Sequence, residues 1–148
     1  MKAITKYFFF LLAFVAFSAC QEDLKIEDAG SLQLSGDWTV IEYSLDADPL
    51  YGPYELQLYN TATGTDSIWI ENIYDSGYKV KSAKLSETTF AVTGATDVNG
   101  EADGLIDIID GKVINNDSIV FRVVLYDEDG EVVDDYLESG HRYTGWQD

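Results

Sequence analysis

Leu105-Ile106-Asp107-Ile108-Ile109-Asp110-Gly111-Lys112-Val113-Ile114, then Asn115-Asn116-Asp117, then Ser118-Ile119-Val120-Phe121-Arg122-Val123-Val124-Leu125-Tyr126, is the stretch on which the fold turns. Both long runs are built from β-branched, aromatic and aliphatic residues that fit a pleated strand, and neither repeats at helical spacing. The polar link between them has hairpin length, and Asp110-Gly111 inside the first run predicts a bulge or bend. Residues 119–126 are apolar on nearly both faces. A two-sheet sandwich does not require such a strand, whereas a barrel with a covered outer wall accommodates it.

The same grammar extends in both directions. Upstream, the runs expected as strands are 38–45, 54–59, 67–74, 78–85 and 88–93. They are separated by Asp46-Ala47-Asp48-Pro49, by the turn at 60–66, by Asp75-Ser76-Gly77 and by Ser86-Glu87. Gly52-Pro53 opens the second run, and 94–104 is the longest polar loop. Downstream, Asp127-Glu128-Asp129-Gly130 turns the chain into a last run ending near Thr144. About eight strands joined by hairpin-length links, with no segment for crossover helices, predict an all-β antiparallel meander. Eight strands close naturally into a barrel, which removes exposed edges. The sandwich remains the competing architecture.

Ahead of this region lies a different kind of sequence. Lys2 and Lys6 precede an apolar run from Tyr7 to Phe17, and Ser18-Ala19 leads into Cys20, the single cysteine. A basic start, a short apolar run and small residues before a cysteine form a lipoprotein signal peptide, with cleavage before Cys20 and lipidation of its sulfur. The run is too short for a membrane span, which needs about 20 residues. The expected organisation is a signal peptide over 1–19, a lipidated flexible tether over 20–34 and a barrel domain over 35–148. Glu22-Asp23 beside the anchor resembles the export signal of Gram-negative bacteria that display lipoproteins on the outer face of the outer membrane. Such a surface-exposed outer-membrane lipoprotein is the expected localisation.

The charge balance narrows the partners. The chain has 27 acidic and 9 basic side chains, and removal of Lys2 and Lys6 leaves 7 − 27 = −20. A surface of that sign repels phosphate backbones, so no nucleic-acid partner is expected. With Cys20 in the anchor no thiol is left for a disulfide, and the fold must rest on packing and strand pairing.

Gly36-Asp37-Trp38 in the first strand and Arg142 in the last resemble the pair that closes one end of lipocalin-type barrels, where an arginine lies across the indole. The resemblance implies a lipocalin-like (calycin-like) fold with Gly36, Trp38 and Arg142 as a structural plug. Further strings are 52–56, 67–70, 78–81, 110–114 and 117–121, together with Ser139-Gly140-His141-Arg142-Tyr143-Thr144-Gly145. Taken together, they make the chain similar to a family of small bacterial lipoproteins known as lipid-binding putative hydrolases. That resemblance implies lipid binding, but it supplies no set of catalytic residues to transfer.

Residue chemistry also gives little support for catalysis. His141 is the single histidine, Ser139 is too near along the strand to be its obvious nucleophile, and no Gly-x-Ser-x-Gly string occurs. Histidine- and cysteine-based metal sites are excluded by count. Asp97-Val98-Asn99-Gly100 and Asp127-Glu128-Asp129-Gly130 have the look of the start of a calcium loop, but each reads better as a turn, so no metal or cofactor is expected. Asp66-Ser67-Ile68 and Asp117-Ser118-Ile119 resemble an acceptor for O-glycosylation, and both also suit turns leading into strands.

The expected function is non-catalytic binding of a lipid or other small apolar ligand in the open end of the barrel. Trp69, Tyr78, Phe90, Phe121 and Tyr136 are the candidate lining, and Arg122 is the candidate for an anionic head group if it faces inward. Strand parity is open, because a slip of one residue reverses every assignment. The alternatives are a solid barrel whose loops contact a glycan or protein, and a hydrolase acting on lipid or glycan.

Overall fold

The computed structural model describes residues 33–62, 66–73, 77–100 and 102–145. Within them the chain forms eight strands: β1 (Gly36–Tyr43), β2 (Pro49–Asn60), β3 (Ser67–Asn72), β4 (Lys79–Lys84), β5 (Thr89–Thr96), β6 (Leu105–Ile114), β7 (Ser118–Tyr126) and β8 (Val132–Arg142). Each pairs antiparallel with the next, and β8 returns to pair with β1, so the sheet closes into a barrel. Closure settles the choice between barrel and sandwich. Cys20 and the expected signal peptide and most of the tether lie outside the described residues.

Turn chemistry explains the hairpins. At the β6–β7 link the Asp117 amide donates to the Ile114 carbonyl (3.1 Å), and the two central residues, Asn115 and Asn116, have φ of 53° and 58°. Positive φ at both central positions is what a type I′ hairpin turn requires, and asparagine tolerates it best after glycine. At the β7–β8 link Gly130, with φ of 82°, donates to the Asp127 carbonyl.

Interior and exterior alternate along the strands as the pleat dictates. Trp38 and Val40 of β1, Tyr54, Leu56 and Leu58 of β2, and Ile68 and Ile70 of β3 are buried. In β6 the inward set changes phase: Ile106 and Ile108 are buried, then Gly111 and Val113. The pairing with β7 shifts between Ile109 and Lys112, and Asp110 takes a φ of 53°, so Asp110-Gly111 is a bulge. A Cβ on Gly111 would lie 2.3 Å from the Phe90 ring, so the bulge presents a bare backbone against which that ring packs.

Most boundaries lie within one or two residues of the sequence reading, and those of β2 and β5 depart further. β2 begins at Pro49 and runs through Gly52-Pro53, with irregular register against β1 between Val40 and Tyr43. The Gly52 φ of 123° and its backbone's approach to Val40 and Ile41 let the strand pass a point that reads as a break. β5 continues to Thr96, which shortens the following loop because Ala95 and Thr96 find partners in Ile106 and Leu105.

Candidate functional site

The barrel has two unlike ends. At the lower end, where β1 starts and β8 finishes, Trp38 pairs with Arg142, whose guanidinium carbon lies 4.2 Å from the indole centroid. Arg142 Nη1 donates to the Ser35 carbonyl (2.6 Å), Nη2 to that of Gln33 (2.8 Å) and Nε to that of Asn116 (2.9 Å). One planar cation thus ties the incoming chain and the β6–β7 turn to the last strand while stacking on an aromatic face. A Cβ on Gly36 would sit 2.3 Å from Arg142 Nη1, and its φ is 145°, so glycine is required on both counts. Leu34, Leu58, Ile68, Phe90 and Ile119 pack the space above, and Phe90 meets Phe121 edge-on at 5.6 Å.

Toward the upper end the interior turns polar. Glu138 of β8, fully buried, pairs with Glu42 of β1 on one side and with Phe121 of β7 on the other. Tyr78 reaches it from the approach to β4, its hydroxyl donating to Glu138 Oε1 (2.8 Å). The Tyr54 hydroxyl donates to Glu42 Oε1 (3.0 Å), and buried Tyr136 stands two residues before Glu138 on the same face. Ile106, Ile108 and Val123 complete the apolar wall. Glu138 Oε2 and Trp38 Nε1 are, among the described residues, the buried side-chain polar atoms with no hydrogen-bond partner.

Burial makes the charged form of Glu138 costly and pushes its pKa up to about 8; the Tyr78 and Tyr54 hydroxyls oppose that rise, and Glu42 adds to it. At neutral pH the group is therefore mainly a neutral acid, able to donate from one oxygen while accepting at the other. The same burial and the nearby acids raise Tyr54 and Tyr78, which stay protonated donors.

Of the expected lining residues, Tyr78, Phe90, Phe121 and Tyr136 point inward. Trp69 and Arg122 do not, and their expected roles in the interior are corrected by parity. Trp69 stands between buried Ile68 and Ile70, so its ring is on the outer wall, 5.5 Å from Lys79 Nζ. Lys79 also lies 5.3 Å from the Tyr59 ring and 3.2 Å from Glu71. Arg122 stands between Phe121 and Val123 and is gripped outside the barrel by Asp135, with Nε to Oδ1 at 2.7 Å and Nη2 to Oδ2 at 2.6 Å. It is unavailable to an anionic head group inside. Glu138, Tyr54 and Glu42 were not singled out from the sequence; the signal was the shared parity of Tyr136, Glu138 and Gly140, hidden among abundant acids.

The remaining motifs are engaged locally. Asp97 Oδ1 accepts from the Lys79 and Asn99 amides and Oδ2 from Ala102, while Asp127 Oδ1 accepts from Asp129 and Glu131, so both carboxylates organise turns. Ser67 Oγ lies 2.9 Å from Thr61 Oγ1. Strand pairing sets His141 opposite Ser118, whose Oγ is 3.3 Å from Nδ1, and Asp117 approaches that same nitrogen at 3.5 Å. A relay needs the acid and the nucleophile on different ring nitrogens, so this exposed group lacks the geometry of a triad.

No curated protein matches the chain. A family model described as "lipid-binding putative hydrolase" matches residues 23–147, which take in the whole barrel. With an eight-stranded closed barrel and a match over most of its length, this chain belongs to the lipid-binding putative hydrolase family.

Proposed function

We propose that this protein is a membrane-tethered carrier that holds an amphipathic molecule in its barrel without altering it chemically, anchored through lipidated Cys20 at the surface of the outer membrane. Family membership and the closed barrel support lipid binding in general terms. The observation that carries the finer reading is the polarity of the interior. Apolar side chains fill the lower half, and above them stands one buried carboxyl with an unpartnered oxygen, framed by tyrosines. Glu138, the tyrosines and the neighbouring Ile106, Ile108 and Val123 offer an amphipathic molecule polar and apolar contacts together. His141, exposed and approached twice at the same nitrogen, favours binding over hydrolysis.

The anchor rests on Lys2, Lys6, the apolar run and Cys20. Each acyl methylene that enters a bilayer contributes about 0.8 kcal/mol, so a multiply acylated cysteine holds the domain firmly. Native mass spectrometry of the full-length protein, released gently from membranes, tests the carrier reading. A bound amphiphile beyond the mass of the acyl anchor is expected; bare protein that also fails to take up an apolar fluorescent probe contradicts it. For the anchor, Cys20→Ala is expected to move the protein from the membrane to the soluble fraction, and protease added to intact cells should remove the wild-type domain. Retention of Cys20→Ala in the membrane contradicts lipidation, and full protection from protease contradicts surface display.

A further inference from the structure

We infer that the outer rim of the barrel's upper end is a docking surface for a protein partner whose own face is basic around an apolar centre. The surface lies outside the barrel, and its occupant is independent of what the interior holds.

The four links at this end, 44–48, 73–78, 97–104 and 127–131, carry ten aspartates and glutamates and no lysine, arginine or histidine. The links at the opposite end, 61–66, 85–88 and 115–117, carry three acids. Apolar exposure follows the same polarity. Among the described residues, eight of the eleven exposed large apolar side chains lie at the upper end, and Leu85, Ile114 and Tyr143 lie at the lower. Leu45, Ile73 and Val98 stand in the upper links, and Leu50 and Tyr51 open β2. Leu105 opens β6, and Val132 and Val133 open β8. Apolar residues scattered singly over a surface need no explanation, whereas their concentration at one pole marks an interaction site.

Hydrogen bonds and close packing hold these links in place. Asn99 Nδ2 donates to the Gly77 carbonyl (2.6 Å) and the Val98 amide to that of Lys79 (2.8 Å), which ties the β5–β6 link to the β3–β4 link. Gly104 approaches the next hairpin so closely that a Cβ would lie 1.9 Å from the Tyr126 carbonyl oxygen. The Ser44 amide donates to the Asp48 carbonyl (2.8 Å) and closes the β1–β2 turn, while Tyr43 pairs with Leu137 of β8. A partner therefore meets a preformed surface and is spared the entropy of ordering loops.

Charge decides the occupant. Exposed Asp46 and Asp48 stand between Leu45 and Leu50, and exposed Glu131 and Asp134 flank Val132 and Val133. A second copy would set the same acids against these, and an anionic bilayer would bring phosphates. A basic protein face pairs the acids with lysines or arginines while its apolar centre covers the side chains between them, the usual anatomy of an interface.

The test uses the full-length protein anchored in phosphatidylcholine nanodiscs, with an environment-sensitive dye on Leu50→Cys or, at the lower end, on Leu85→Cys. Three synthetic amphipathic peptides of equal length are added: lysine-leucine, glutamate-leucine and lysine-serine. The lysine-leucine peptide is expected to shift the dye at Leu50→Cys at about a tenfold lower concentration than either other peptide, to leave the dye at Leu85→Cys unmoved, and to weaken as salt is added. Val132→Ser combined with Val133→Ser, both at exposed positions, should raise the concentration required about tenfold. No response to the lysine-leucine peptide, an equal response to the glutamate-leucine peptide, equal shifts of both dyes, or binding unchanged by the two serines overturns the assignment. So does a dye at Leu50→Cys that is shifted before any peptide is added, whether by the bilayer or, as protein density rises, by a second copy. The carrier reading stands in each of these cases.

Discussion

Each end of the barrel leaves one buried side-chain polar atom unpartnered among the described residues, Trp38 Nε1 below and Glu138 Oε2 above, and the ends differ in what surrounds that atom. At the lower end a single guanidinium meets three carbonyls and an indole face, and the surroundings are closely packed hydrocarbon. At the upper end a carboxyl is buried with one oxygen engaged and the other unpartnered, beside a second acid. The first arrangement is what stability selects: no orphaned group on Arg142, and one residue crossing between three segments. The second weakens the isolated fold, and unsatisfied buried groups concentrate at functional sites.

Perturbing the lower end should therefore cost stability at every pH, and perturbing the upper end should change how stability depends on pH. Trp38→Ala removes the largest side chain of the sealed end and is expected to cost about 3–5 kcal/mol in chemical denaturation. A loss under about 1 kcal/mol would mean that this end is not the packed base described.

Glu138 comes next, and its effect depends on pH. Because its folded pKa of about 8 lies above the ordinary carboxyl value of 4.5, the folded protein binds the extra proton, so its contribution is fully present below about 4.5. Stability is then lost as pH rises through the window to about 8, by up to about 1.4 kcal/mol per pH unit. The neighbours facing the group from β1, β2, the approach to β4 and β8 are Glu42, Tyr54, Tyr78 and Tyr136; of these, Tyr54 and Tyr78 keep their protons there. Glu138→Gln should flatten the slope and leave the variant relatively more stable at pH 9. Parallel wild-type and variant curves between pH 5 and 9 would contradict the assignment.

Arg142→Lys keeps the charge but loses the planar fork, and a cost of about 1–3 kcal/mol is expected in the same denaturation assay, with the pH slope of stability unchanged. A changed slope would mean that the two ends are coupled. The smallest effect belongs to Arg122→Ala, which breaks a pair on the outer wall. Melting should barely move and uptake of an apolar fluorescent probe should be unaltered, and weaker uptake would return Arg122 to the site.

How much of this was legible in sequence follows from the range of each signal. Asn115-Asn116, Asp127-Gly130 and Asp110-Gly111 act through local backbone preference, so the hairpins and the bulge could be read directly. The Trp38 and Arg142 pair could be matched by position at the two termini of the meander. Trp69 and Arg122 could not be assigned, because whether a strand residue faces in or out depends on register, and the phase change at Asp110-Gly111 shows how one bulge resets it. Glu138 was hidden for another reason: in a chain with 27 acidic residues, no single glutamate stands out until strand pairing buries it.

The most direct test is a pH titration of the Glu138 side-chain carboxyl by carbon-13 NMR, with Glu138→Gln to assign the signal. A titration near 8 is expected for a carboxyl buried as Glu138 is. A carboxyl that titrates at the ordinary 4.5 would contradict the buried polar layer at the upper end.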